Sequence, residues 1–125
     1  MQMNLRQALF IFTLLAAILG CQPATEKTIP DDLLGMWKTS EPEYADRFFE
    51  LKKDEIIFAT GENNTDTYSV ESVEQAHDEE GILYNVHYLN LEGQQYTFSI
   101  YYAPTNHGVI RFKNQKHFTW TRERR

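Results

Sequence analysis

The sequence predicts an all-β fold, a small antiparallel meander of eight strands closing into a barrel, and three observations carry that expectation. After Pro42 no segment places apolar residues at helical spacing over three turns. Short runs of alternating apolar and polar residues, rich in aromatic and β-branched types, follow one another at short intervals. Gly, Asn, Asp and Pro clusters separate those runs.

Taken in order, Met1 to Gln7 carries one charge, Arg6, and Ala8 to Leu19 is an apolar run interrupted only by Thr13 and followed by Gly20. A run of roughly 12 apolar residues is shorter than the ~20 a spanning helix needs, and the layout is that of a signal peptide over residues 1–20. The only cysteine, Cys21, ends the stretch Ile18-Leu19-Gly20-Cys21. That tetrapeptide resembles a bacterial lipobox, which implies cleavage before Cys21, diacylglycerol on its thiol and acylation of the new amine. The alternatives are an ordinary signal peptide with an incidental cysteine, or an uncleaved anchor. Under the lipobox reading the chain is a lipoprotein of the bacterial cell envelope. In a host with two membranes, Gln22 in place of the aspartate associated with inner-membrane retention implies the periplasmic face of the outer membrane; a single-membrane host is the alternative.

Residues 21–32 hold Pro23 and Pro30, small polar residues and no apolar period, and read as the lipidated N-terminus and a flexible tether. Extended, about 11 residues reach at most ~35 to 40 Å. Residues 33–125 then form one domain. With Cys21 lipidated that domain has no disulfide, and its stability must come from packing and strand pairing.

The charge distribution argues against some partners. The whole chain has a formal net charge of −6; without Arg6, 11 basic residues stand against 18 acidic ones, a balance of −7. Such a surface suits neither nucleic acid nor a bare anionic membrane. Glu41 to Glu92 contains 14 acidic and 3 basic residues, and Arg111 to Arg125 contains 6 basic and 1 acidic. Cross-strand ion pairs could neutralise this asymmetry internally, or it could expose a basic edge.

The strands are expected at 36–39, 47–52, 55–60, 67–75, 82–90, 94–102, 109–113 and 117–122. Pairing arguments fix their registers. A three-residue turn at Leu91-Glu92-Gly93 sets Tyr88 against Tyr96, Val86 against Phe98, Tyr84 against Ile100 and Ile82 against Tyr102, and puts Gly93 at the left-handed position. A two-residue turn at Lys53-Asp54 sets Leu51 against Ile56 and Phe49 against Phe58. For the last hairpin, Phe112 opposite Phe118 and Ile110 opposite Trp120 requires a three-residue turn, Asn114 to Lys116.

At the entry to the domain, Asp31 or Asp32 could cap one helical turn, with Leu33 and Leu34 closing an end of the core. Gly35-Met36-Trp37 on the first strand and Arg122 on the last resemble the start and end of lipocalin-like and other calycin-type barrels. The resemblance implies structural roles for Gly35, Trp37 and Arg122, the arginine lying against the indole beneath the barrel. The chain departs from full lipocalins in its length and in the weak likeness of Thr65-Asp66-Thr67-Tyr68 to their second motif.

Chemistry-bearing patterns are few. His77, His87, His107 and His117 form no His-x-His pair, and Asp78-Glu79-Glu80 lacks the oxygen spacing of a calcium loop. Glu41 with Glu43, or Asp54 with Glu55, lie on turns rich in like charge rather than around a cleft. No serine sits in a Gly-x-Ser-x-Gly setting. A non-enzymatic module without cofactor or metal is therefore expected. Two roles remain open. The tyrosines Tyr68, Tyr84, Tyr88, Tyr96 and Tyr102 could line a pocket for a small apolar ligand inside the barrel. Otherwise the aromatic residues fill the interior, and outward-facing Phe48, Ile57, Leu83, Leu89 and Tyr101 could grip another envelope protein.

Overall fold

The computed structural model describes residues 24–61 and 63–123. The signal segment, Cys21 and Gln22 lie outside the described residues. Nine strands follow one another: β1 Ala24–Glu26, β2 Gly35–Thr39, β3 Phe48–Leu51, β4 Glu55–Ala59, β5 Thr65–Asp78, β6 Gly81–Leu89, β7 Gln95–Ala103, β8 Val109–Phe112 and β9 Gln115–Arg122. Single 3₁₀ turns occupy Asp31–Leu33, Pro42–Tyr44 and Thr105–His107.

Strands β2 to β9 form a closed, eight-stranded antiparallel barrel. Neighbouring strands pair in sequence, and β2 returns to β9 through Trp37 opposite Arg122 and Thr39 opposite Trp120. Closure leaves no sheet edge along most of the wall, which is how a small all-β domain avoids unpaired backbone.

Local pairing follows the apolar pattern. Leu51 faces Ile56 and Phe49 faces Phe58 across β3 and β4. Tyr88 faces Tyr96, Val86 faces Phe98, Tyr84 faces Ile100 and Ile82 faces Tyr102 across β6 and β7. In the turn between them Gly93 adopts φ 82° and its N–H donates to the Asn90 carbonyl at 3.1 Å.

Three expectations are corrected. The segment read as a tether joins the wall from Ala24 onward. Strand β1 pairs with β5, Ala24 opposite Gln75 and Glu26 opposite Val73. It lies along the edge of β5 that β4, which pairs only with Thr65 to Ser69, leaves free. Ile29 is 1 % exposed within the core, and its N–H donates to the Lys53 carbonyl at 2.9 Å. Burying that one aliphatic side chain is worth ~1.5 to 3 kcal/mol, which helps offset the cost of ordering the segment.

The last hairpin also differs. Ile110 faces Trp120, but Phe112 faces Gln115 because β9 is irregular between those pairs, so the turn is Lys113-Asn114. Phe118 instead packs edge-on against Tyr44 at 5.5 Å. Finally, Leu83 and Tyr101 are not exposed. They are 6 % and 4 % accessible, and long side chains cover Tyr101 on the outer face: Lys116 and Arg111 each lie 5.9 Å from its ring. The Tyr101 hydroxyl donates to Asp78 Oδ2 at 2.6 Å, and Lys116 Nζ meets Glu80 Oε1 at 2.6 Å. The Lys116–Glu80 pair neutralises one cation of the basic C-terminal segment within the molecule, whereas Lys38 at 3.2 Å takes up Glu123, the one acid of that segment.

Candidate functional site: the two ends of the barrel

One end is closed. The Asp31–Leu33 turn lies across it, and the buried Trp37 indole N–H donates to the Leu33 carbonyl at 3.0 Å. The Arg122 guanidinium sits 4.7 Å from the Trp37 ring and donates to the Asp32 carbonyl. Two glycines make room for this pair. A Cβ on Gly35 would fall 3.2 Å from Arg122 Cδ, and one on Gly108 would fall 3.0 Å from Trp37 Cη2. Asn106, His107 and Gly108 all have positive φ, so the β7–β8 turn is strained where it presses on Trp37.

Tyr84 and Tyr102 belong to this closed end. Tyr102 meets Trp37 edge-on at 6.4 Å. Burial pushes the Tyr84 phenol upward, and the Asp32 carboxylate adds to the shift.

The opposite end, the mouth, holds the other three tyrosines. Tyr68 and Tyr88 are 5.1 Å apart, Tyr88 and Tyr96 stack at 5.5 Å, and Phe58 supports them from 5.8 Å (Tyr68) and 5.9 Å (Tyr88). Burial, then the neighbouring Tyr68 and Tyr96, raises the Tyr88 pKa. The five tyrosines named from the sequence are therefore split two and three between opposite ends.

The space between the ends is occupied. Phe49, 1 % exposed, lies 6.4 Å from Trp37, 5.4 Å from Phe98, 5.6 Å from Phe112 and 5.2 Å from Trp120. Phe98 continues to Phe58 at 5.3 Å. An unbroken aromatic column thus runs from Trp37 to the mouth. Such packing fills a barrel of eight short strands.

At the mouth a shallow groove of about 240 Å³ stays open, floored by Phe49, Phe58, Phe112 and Trp120 and bordered by Tyr44 and Arg47. It is smaller than the ~300 Å³ lower bound of drug-sized sites. Arg47 stacks on Tyr44 at 4.9 Å and forms no ion pair among the described residues. The Trp120 indole N–H is buried with no acceptor among the described residues. Sequence reasoning missed Tyr44, because a 3₁₀ turn between two strands carries no periodic signal, and gave Arg47 no role beyond opening a strand, although it lies just before β3.

On the outer wall His87 bridges Thr97 at 2.9 Å and Glu74 at 3.2 Å, and the Ser99 hydroxyl donates to Asn85 at 2.6 Å. Among the described residues no three His, Cys, Asp or Glu side chains gather into a group that could hold a metal ion. Nor is any described helix long and apolar enough to cross a membrane. No family model, no curated protein and no solved structure matches this chain.

Proposed function

We propose that this protein is a lipid-anchored, non-enzymatic lipoprotein of the bacterial cell envelope, calycin-like in architecture, that works by surface recognition of another envelope component. The signal-like run before Cys21 and the lipobox-like Ile18-Leu19-Gly20-Cys21 support the anchor. Gln22 supports the periplasmic face of the outer membrane. The aromatic column centred on Phe49 carries the choice between roles, because a filled interior favours recognition at the surface over a ligand carried inside. The Trp37–Arg122 pair supports the calycin-like reading.

A second reading has its own observation. The mouth groove joins an aromatic floor to a cation, Arg47, and lies against Trp120; among the described residues neither the Arg47 guanidinium has an ion pair nor the Trp120 N–H an acceptor, which suits a small apolar molecule bearing an acceptor group. Native mass spectrometry of the chain from Gln22, purified gently from its host, separates the two. A co-purifying protein supports surface recognition; a retained small molecule supports the groove instead. For the anchor, Cys21→Ser should release the protein from membranes without detergent, and a variant that stays membrane-bound would overturn the lipidation.

A further inference from the structure

Strand β1 pairs with β5 alone, whereas each strand of the barrel has a neighbour on both sides. Its three residues, Ala24, Thr25 and Glu26, are all exposed, and none enters an ion pair among the described residues. Backbone pairing to Gln75, Glu74 and Val73 is what holds it. Pro23 has no N–H to donate, which removes a donor from any extension of the strand towards Cys21. Ile29 is attached in another way. Its side chain is 1 % exposed within the core, and its N–H donates to the Lys53 carbonyl at 2.9 Å. Only Lys27 and Thr28 separate these two attachments, one made of backbone and the other an apolar plug.

The charge on β1 weakens its hold further. Residues paired across antiparallel strands share a face, so Glu26 lies on the same face as Val73, which is 2 % exposed. A charged residue on the inner face of an edge strand works against pairing. Burial, then the Asp32 carboxylate, the Tyr102 phenol and the Glu26 carboxylate, pushes the Tyr84 phenol upward, which places two like charges at this corner of the closed end.

We infer that β1 is a releasable strap: it opens from β5 as a unit while Ile29 stays seated, and this gives the chain in front of the barrel two lengths. Docked, the three residues from Cys21 to Ala24 span at most ~11 Å; open, the eight residues from Cys21 to Ile29 span at most ~26 to 29 Å. Segments with few buried apolar contacts are those that open locally while the rest of a domain stays folded. The strap then controls how far from the lipid the barrel can stand. That control rests on the proposed anchor at Cys21, whereas the opening itself does not. A partner beyond the docked reach meets only the open form, and its apparent affinity is scaled down by the open fraction.

Hydrogen exchange on the chain from Gln22 reads the opening without any lipid. The β1 amides bonded to β5 should open at least ~100-fold more often than those of Val86 and Ile100, while the Ile29 amide should exchange with the barrel. Amides of β1 as slow as those of Val86 would make the strand part of the global unfolding unit and overturn the strap. Amides at the rates of an unstructured peptide would overturn the docked state. Thr25→Pro should abolish β1 protection and leave the urea midpoint of the barrel unchanged; a large fall in midpoint would count against a separable strap. The two lengths are compared on the full lipidated protein at a supported bilayer. Ala24→Cys with Gln75→Cys, a facing pair within disulfide range, fixes the strap shut on oxidation, and Thr25→Pro holds it open. Neutron reflectometry should place the open protein farther out, by at most ~15 to 18 Å. Equal heights would overturn the control of reach. A protein that carries no lipid would overturn the anchor instead, and exchange would still decide the opening.

Discussion

The two ends of this barrel solve opposite problems with the same residue types. At the closed end Trp37 is fully buried, its N–H is bonded, Arg122 covers its face, and two glycines stand where a side chain would crowd this pair. At the mouth the aromatic rings are only partly covered, a tyrosine is 44 % exposed, and Gly93 has open space around its Cβ position. Tight packing makes the first end intolerant of change. Loose packing leaves the second free to meet something else.

Mutations can test that contrast. The largest effect is expected for Trp37→Ala, which should cost about 3–5 kcal/mol by urea denaturation, whereas Tyr96→Ala at the mouth should cost about 1. Equal costs would dissolve the distinction. Ile29→Ala follows at about 2–4 kcal/mol, because its side chain plugs the wall beside the closed end; a negligible change would return the N-terminal segment to the status of a tether.

The glycines sharpen the comparison. Gly93→Ala carries the left-handed backbone cost alone, about 1–2 kcal/mol. Gly108→Ala adds the 3.0 Å collision with Trp37 and should cost about 1–3 kcal/mol more, read as the difference in thermal or urea midpoint.

The smallest effect concerns neither end but the outer wall. The hydrogen bond to Asp78 pushes the Tyr101 phenol up to about 12, and the same bond, with backbone donors, lowers Asp78 below its usual 3.8. A raised tyrosine pKa stabilises the fold fully below the unfolded value near 10, and the contribution disappears as pH climbs from there to about 12. The Asp78 contribution is present above 3.8 and is lost as pH falls through its lowered value. Tyr101→Phe should therefore flatten both limbs of the stability–pH curve, and unchanged limbs would show that the bond carries no linkage.

Much of the barrel was legible because apolar alternation and turn chemistry agree. Gly93 and the run from Ile82 to Tyr102 admit one register, and Lys53-Asp54 admits one turn. The last hairpin was not, since an irregular β9 lets Phe118 leave the interior for Tyr44 and no glycine marks the change. Strand β1 was invisible for a different reason: its three residues are all exposed, so backbone pairing holds them without any apolar pattern. The burial of Tyr101 escaped because alternation assumes one wet face, and here Arg111 and Lys116 fold over it. The candidate site was read least well. The sequence grouped five tyrosines by type, and distance divides them.

Strand β1 also sets a geometry for the whole assembly. On the proposed anchor at Cys21, the free chain ends where Ala24 joins the wall, and three residues span at most ~11 Å rather than ~35 to 40 Å. With that anchor the barrel would ride at headgroup height instead of swinging on a leash. Ala24 pairs with Gln75, near the end of β5 that reaches the closed end. On that proposal the sealed end would look towards the lipid and the mouth away from it.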